Sequence, residues 1–578
     1  MRKRWTYKAV DAAVVSHLQK ALGVSAVLAR ILYHRGIADA ASAEVFFHPR
    51  LDRLHDPFLL KDMDVAVARV ERALRQGERL LLYGDYDVDG VTSVSLLCMY
   101  LRRLGAEPDI YIPDRYKEGY GLSLAGIDYA RQNKVDLIVV MDCGTGAFDA
   151  VGAAVDAGID IIILDHHRPE SALPAAHAVV NPKRPDCSYP FKELSACGVT
   201  FKLVQALHQR RGQTIDSIRS LLDFVAVSIA CDFVDIRDEN RILAHFGLQE
   251  INRHARVGLK ALIARSGLSY PLTISDIVFG IGPYLNAAGR LADARDAVSL
   301  LLAGEWAVAT EFANRLRRHN EARRHFDRAN LREAIEMWES DPYHDRLPII
   351  VLFKADWHKG VLGIVASRMS KLYHKPAVIM CMSNDQIVGS ARSMHGVDIH
   401  ALLEGTRAYL TSFGGHAAAA GFTLAPDNLE DFAQHLLSEP VWQGADKRMP
   451  ALEIEAELEL EDITPGLIKE LKRLAPLGPG NPNPLFACER VQVAGPVRYT
   501  ARNSVRLTVA KGKSPAFRAA GFRRGDFIGA IDGPEINICY KILESEWNGR
   551  KFIQLQLKDV IPVSDALTNP VEGEDDAV

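Results

Sequence analysis

The chain has 578 residues, 48% hydrophobic and 25% charged, with 69 basic against 73 acidic side chains. At roughly 150 residues per domain this is room for about four domains, and the composition excludes collagen, wholesale disorder and a small disulfide scaffold. A net charge of −4 excludes a histone-like or polybasic membrane-surface protein. It does not exclude a nucleic-acid enzyme, whose site needs a local basic groove rather than a basic chain.

The eight cysteines (Cys98, Cys143, Cys187, Cys197, Cys231, Cys381, Cys488 and Cys539) form no CxxC pair, so a structural zinc knuckle is not expected. Most lie in apolar runs, which suits buried free thiols and a reducing compartment. The basic N-terminus MRKRWTYKAVDAAVV has no continuous apolar h-region. No run of 18 apolar residues offers a membrane span. The chain reads as cytoplasmic.

In chain order, residues 1–60 read as short helices and turns. Short apolar strands then follow at 79–83 (RLLLY), 136–142 (DLIVVMD), 159–165 (IDIIILD) and 178–181, separated by helical segments such as 91–104 and 147–158. Continuous apolar strands alternating with helices predict a parallel sheet covered on both faces. This catalytic domain is expected over 61–235. Residues 236–340 read as helical, ending in one long helix over 305–338 with seven arginines against three acids in 311–332. A second α/β domain is expected over 345–440, with a linker at 440–450. In 452–460 apolar residues alternate with four Glu, which predicts a half-buried strand. It opens a β-barrel domain over 450–565, before an acidic, disordered tail at 566–578.

The sharpest chemical signal is YGDYDVDG at 83–90. Asp85, Asp87 and Asp89 sit just past a buried strand, at the carboxyl edge where parallel sheets bind ligands. Like charges this close repel, so they imply either a bound cation or a solvated turn. Asp142 ends the next strand, and Asp165 ends another, followed by His166 and His167. Parallel strands bring these ends together, which disfavours the solvated turn. Asp232 closes the apolar run LLDFVAVSIAC; taken alone it is as readily a cap as a ligand. Carboxylates and imidazoles without thiolates favour Mg2+ or Mn2+, and their number suggests two ions sharing an Asp, as in phosphoryl displacement.

This trio (GDYDVDG, LDHH and a later Asp) resembles the DHH phosphoesterase superfamily. Within it, further stretches are similar to the RecJ family of single-strand-specific DNA exonucleases: YIPDRYKEGYGL (111–122), LNAAGR (285–290), WHKGVLGIVASR (357–368), GSARS (389–393), FGGHAAAAGF (413–422) and APLGPGNPNPLF (475–486). The resemblance implies a parallel-sheet DHH domain, a second α/β domain of the DHHA1 type joined by the long helix, and an OB-like barrel. It implies Asp87, Asp89, Asp142, His166 and Asp232 as ligands of two divalent ions, with Asp85 a ligand or a carboxylate just behind them. His167 would face the scissile phosphate, or else orient a ligand. Arg115 and Arg290 would contact phosphates, Ser390 and Arg392 the 5′-terminal phosphate, and His416 the same cleft. Cys143 departs from an expected Asn (VDNG) beside a ligand.

The residues themselves say less about the outer motifs. Trp357 and His358 could stack a base or simply pack, and Tyr120 shares that ambiguity. The Arg-rich helix suits either a solvated face or a backbone-tracking surface. Lys511–Arg524 has five basic residues with Phe517 and Phe522 interleaved, which suits single strands or an exposed basic strand pair. The implied activity is 5′→3′ degradation of single-stranded DNA to 5′-mononucleotides, in repair and recombination, with a helicase and a single-strand-binding protein as partners. Two other readings fit: a DHH phosphodiesterase for short RNA or cyclic dinucleotides, and a non-catalytic nucleic-acid binder that keeps the fold.

Overall fold

Strands Leu80–Gly84, Leu137–Met141 and, past its first residue, Asp160–Leu164 carry no charge because both faces of their sheet are covered. The computed structural model describes residues 3–563 except 170–171, 395, 443–450, 501–503, 523–526, 528–530, 532 and 548–549. It divides into two units: residues 55–232 with 246–448, and residues 1–54 with 233–245 and 449–578.

In the first unit the sheet is fully parallel, in the order Asp109–Tyr111, Leu80–Gly84, Leu137–Met141, Asp160–Leu164, Ala178–Val180. Asp109–Tyr111 has only three residues and no apolar run, so periodicity does not reveal it. One face packs on helices Leu124–Gln132 and Phe148–Asp156 through Ile127, Ala130, Val151 and Ala154. The long helix, Trp306–Ser340, buries Ala309, Ala313, Leu316, Asn320, Asp327, Asn330, Ala334 and Trp338, a spacing near 3.5 residues that keeps one stripe inward. It packs on helix Leu362–Tyr373 of the second α/β region. There the sheet runs Leu410–His416, Ala419–Leu424, Gln386–Arg392, Ala377–Ser383, Ile350–Phe353, and among its pairings only the last is parallel.

The second unit holds the barrel. Its strands follow the order Ala456–Glu457, Phe486–Val493, Glu535–Trp547, Arg550–Pro562, Phe517–Phe522, Ser504–Ala510, Arg498–Thr500, and the pairing of Phe486–Val493 with Ser504–Ala510 closes it. The N-terminal residues belong to this unit. Arg4–Tyr7 pairs in parallel with Ala451–Ile454, and Leu18, Leu28, Ile31 and Leu32 share one core with Phe486, Val505 and Leu555. Residues 233–245 join it through Arg241, which donates to the carbonyls of Phe46, Leu474 and Ala475. The period-two strand is shorter than its pattern. It changes partner at Glu455, whose carboxylate is buried against Arg35 rather than solvated. Phe517 points into the core while Phe522 is exposed; Arg523 and Arg524, like the acidic tail, lie outside the described residues. All eight cysteines are free. Among the described residues no single helix is long and apolar enough to cross a membrane.

Candidate metal centre and phosphate pocket

The three central strands of the parallel sheet end in the expected acids, and the structure gathers them. Asp87 caps helix Val88–Arg103, its Oδ1 accepting from the backbone N–H of Asp89 and Gly90 at 2.9 and 3.1 Å; Oδ2 remains for a ligand. A Cβ on Gly90 would lie 2.3 Å from the Asp85 carbonyl oxygen, so only glycine lets the loop fold this tightly. Asp89 is turned toward helix Ala196–Arg210. It accepts from the N–H groups of Ala196 (2.7 Å) and Cys197 (2.8 Å) at that helix's N-terminus and from Ser228 Oγ (2.7 Å). Asp142 holds φ +65°, a left-handed conformation that Asp tolerates better than most residues. Asp232 caps the C-terminal end of helix Leu222–Cys231.

His166 stands among them. Its Nδ1 donates to the Leu194 carbonyl (3.1 Å), so its Nε2 presents a lone pair. That atom lies 3.4 Å from Asp142, 3.6 Å from Asp232 and 3.7 Å from Asp89. Three groups of donor atoms each lie within 4.8 Å of one another: Asp85, Asp87 and Asp142; Asp89, His166 and Asp232; Asp142, His166 and His167. Asp142 and His166 each occur in two of the groups, and of the two only the carboxylate has two oxygens with which to serve two ions.

The electrostatics fit divalent cations. Burial first, then the neighbouring carboxylates, pushes Asp85 and Asp142 far above the carboxylate range and Asp232 up to about 8. Burial lowers the pKa of His166 against the pull of Asp89 and Asp165. Asp85 Oδ1 and His166 Nε2 are buried without a hydrogen-bond partner. Buried polar atoms of this kind are rare unless something else compensates them. Ions with hard oxygen preferences answer both observations.

His167 is built differently. Asp165 Oδ1 accepts from its Nδ1 (2.8 Å) and from the backbone N–H of His166 and His167. Burial pulls the imidazolium down, but the bond to Asp165 and the charges of Asp165, Asp232 and Asp87 outweigh it, and its pKa rises to about 9. Its Nε2 faces the Tyr120 hydroxyl at 3.3 Å, and its ring lies parallel to that of His416 at 6.4 Å. The FGGH strand therefore delivers His416 to the metal edge, and the exposed Tyr120 stands at the same place. The Cys143 side chain is buried in the sheet core that also holds Val140 and Ile163.

Beside the acids lies a cavity of about 360 Å³ lined by Arg115, Arg290, Lys359, Ser390 and Arg392. Ser390 and Arg392 share a face of strand Gln386–Arg392, two residues apart, and Arg392 donates to Ser390 Oγ (2.9 Å) and Ser367 Oγ (3.2 Å). Gly363 fits against them: a Cβ there would lie 2.5 Å from the Arg392 guanidinium. Arg290 donates to the Gly360 carbonyl (3.3 Å), and its own carbonyl accepts from Tyr116. Burial, with the charges of Arg115, Arg323 and Arg392, lowers Arg290 to about 10. Arg115 sits 5.0 Å over the Tyr86 ring. Among the described residues none of Arg115, Arg290 and Arg392 pairs with a carboxylate. A half-buried knot of guanidiniums without carboxylate partners is a site for an anion.

Trp357 and His358, left open between stacking a base and packing, both make packing contacts. Trp357 is buried, and its indole N–H is bound to Glu333 (2.9 Å), so it offers no face to a base. His358 is stacked on Phe326 at 4.5 Å and accepts from the Gly360 N–H. Both brace the second α/β region against the long helix. Sequence reasoning missed Ser195, Ser228, Thr145 and Asn181. Ser228 donates to Asp89 and lies 2.6 Å from the Oγ of Ser195, whose hydroxyl caps helix Ala196–Arg210. Thr145 N–H donates to Asp165, and Asn181 donates to the His167 carbonyl (2.8 Å). Only Ser195, an N-cap ahead of a helical pattern, leaves a sequence signal.

Comparison with known proteins agrees with this architecture. Residues 79–229 match the DHH family, N-terminal domain; 346–439 match the DHHA1 domain; 454–559 match the RecJ OB domain. The chain is 37% identical to the single-stranded-DNA-specific exonuclease RecJ of Bacillus subtilis, over 96% of this chain and 71% of the relative. It is 32% identical to that of Escherichia coli, over 87% and 91%. The crystal structure of RecJ in complex with Mn2+ from Thermus thermophilus superposes with a TM-score of 0.83 at 28% identity, covering 96% of this chain and 79% of that one. The three matched domains, and relatives 32–37% identical that this chain covers over 71% and 91% of their length, place it in the RecJ family.

Proposed function

We propose that this protein is a metal-dependent exonuclease specific for single-stranded DNA, releasing 5′-mononucleotides from the 5′ end during repair and recombination. One juxtaposition carries the reading: a buried acid cluster stands beside a half-buried pocket of arginines without carboxylate partners. The first suits hydrolysis of a phosphodiester and the second suits a terminal phosphate.

Asp87, Asp89, Asp142, His166 and Asp232, with Asp85 completing the acid cluster, would hold two divalent ions, Mn2+ or Mg2+, with Asp142 shared. When bound, such ions supply Lewis acidity toward phosphate oxygens and make a water nucleophilic at neutral pH. The chain's own residues do the rest. Arg392 and Ser390 grip the 5′-terminal phosphate, and Arg290 and Arg115 neutralise its charge. This fixes the next phosphodiester at the acid edge. Water attacks that phosphorus, the bond to the 3′-oxygen of the terminal nucleotide breaks, and that oxygen leaves with a proton. His167, held charged by Asp165, stabilises the charge that builds on the phosphoryl oxygens, with Tyr120 and His416 beside it. The shortened strand again carries a 5′-phosphate, so each turn regenerates the group that the pocket reads.

The relatives named as single-stranded-DNA-specific exonucleases support this substrate over short RNA or cyclic dinucleotides. The filled acid cluster argues against a non-catalytic binder. We place the protein in the cytoplasm, working with a helicase and a single-strand-binding protein that supply its strands. The test is product analysis on 5′- and 3′-labelled strands of DNA and RNA with Mn2+ and with chelator. Label released as mononucleotide first from the 5′ end of DNA is expected. Release from the 3′ end, or preference for RNA, would overturn the reading.

A further inference from the structure

The order of the parallel sheet places a cation at each end of the metal edge. The three central strands, Leu80–Gly84, Leu137–Met141 and Asp160–Leu164, lead into Asp85, Asp142 and His166. The outer strand Asp109–Tyr111 leads four residues later into Arg115. The opposite outer strand, Ala178–Val180, leads three residues later into Lys183. The register puts Tyr111 level with Tyr83, and Val180 level with Leu164. Both basic residues therefore leave the sheet at the height of the metal ligands. With neighbouring strands about 4.8 Å apart, the two outer strands are roughly 19 Å apart, which is wider than a single phosphate.

Lys183 is anchored to the catalytic loop. Asn181, fully buried, accepts from the Lys183 N–H (2.8 Å) while its amide donates to the His167 carbonyl and to Thr145. The Lys183 charge is felt by His166, Asp232 and His416, whereas that of Arg115 is felt by Asp85 and Tyr86. The Lys183 ammonium lies 3.2 Å from the half-exposed Glu193 carboxylate. A partly exposed pair of this kind is weak, and a phosphate can displace it.

Resting on the function proposed above, we propose that Lys183 holds the backbone phosphate on the 3′ side of the scissile bond, opposite the arginine pocket that takes the 5′ end. The strand would then cross the metal edge from Arg115 to Lys183.

The experiment compares two 5′-phosphorylated substrates in Mn2+: a thymidine dinucleotide, whose only phosphodiester is the scissile one, and a twelve-residue oligothymidylate. Lys183→Gln should lower kcat/KM on the longer strand about tenfold more than on the dinucleotide, the size of one lost charge-assisted contact. The slope of log affinity against log salt for the longer strand should shrink by about 0.7. Lys183→Arg should restore both. Glu193→Gln, which frees the ammonium, should move the long-to-short ratio the other way and keeps the test alive if Lys183→Gln fails to fold. Equal losses on both substrates, or an unchanged ratio in all three variants, would overturn the role of Lys183. Failure of the wild-type protein to cleave either substrate would instead overturn the proposed function.

Discussion

The acid cluster and the arginine pocket are two concentrations of opposite charge in one unit of the molecule, and they are assembled by different means. The acids leave adjacent strands of one parallel sheet, so the carboxyl-edge rule alone brings Asp85, Asp142 and His166 together. The pocket draws on four separated stretches around residues 115, 290, 360 and 390, and no periodicity links them. Its shape depends on close approaches, such as Gly363 against Arg392, that only the folded chain shows. The difference also has an electrostatic side. Each cluster is unstable in itself, because its charges repel within a poorly solvated site. Each therefore marks where a ligand of the other sign belongs.

The largest expected effect separates chemistry from stability in the acid cluster. Asp142→Asn keeps the side chain's shape and suits the positive φ, but removes the shared carboxylate. Its rate in Mn2+ or Mg2+ should fall at least about a hundredfold, since losses one layer further out already reach 10–100-fold. In chelator at neutral pH the same variant should melt higher than wild type, because folding no longer has to bury and protonate a carboxyl that burial and its acidic neighbours push far above the usual range. Calorimetry and a nuclease assay on the same preparation check both signs. Near-normal activity, or a lower melting temperature in chelator, would break the account of the cluster.

A smaller effect is expected in the pocket, and it should depend on the substrate. Arg392→Ala should lower kcat/KM on 5′-phosphorylated strands about tenfold more than on 5′-hydroxyl strands, the worth of one charge-assisted contact. Equal losses would show that Arg392 does not read the terminus. The smallest effect should lie at Trp357. Because its indole braces Glu333 rather than a base, Trp357→Phe should cost about 1–2 kcal/mol of stability with kcat/KM within about twofold on every substrate. A large loss confined to long strands would restore the stacking role.

The same contrast explains what the sequence made legible. The DHH strands, their acids and the long helix follow from apolar runs and period, and the structure matches them to within a few residues. Strand Asp109–Tyr111 escaped because three residues carry no period. Trp357 was ambiguous because an aromatic after a strand looks alike whether its partner is a base or Glu333. Glu455 reads as solvated in an alternating pattern, yet it is buried because Arg35, 420 residues away, meets it. The N-terminal segment reads as a separate piece because its pairing with Ala451–Ile454 and its share in the barrel core join residues more than 400 positions apart, which no local pattern reveals. Ending the chain near Gln443 would thus strip that core from Leu18, Leu28 and Leu32, so such a truncation cannot isolate the role of the barrel.

The central claim is that the acid edge holds two cations through a shared Asp142. Calorimetric titration of Mn2+ into chelator-stripped protein tests it without any assumption about substrate. Wild type should take up two ions per chain, and Asp142→Asn should lose at least one of them while remaining folded. A wild-type protein that binds no Mn2+, or an Asp142→Asn variant with an isotherm equal to that of wild type, would contradict it.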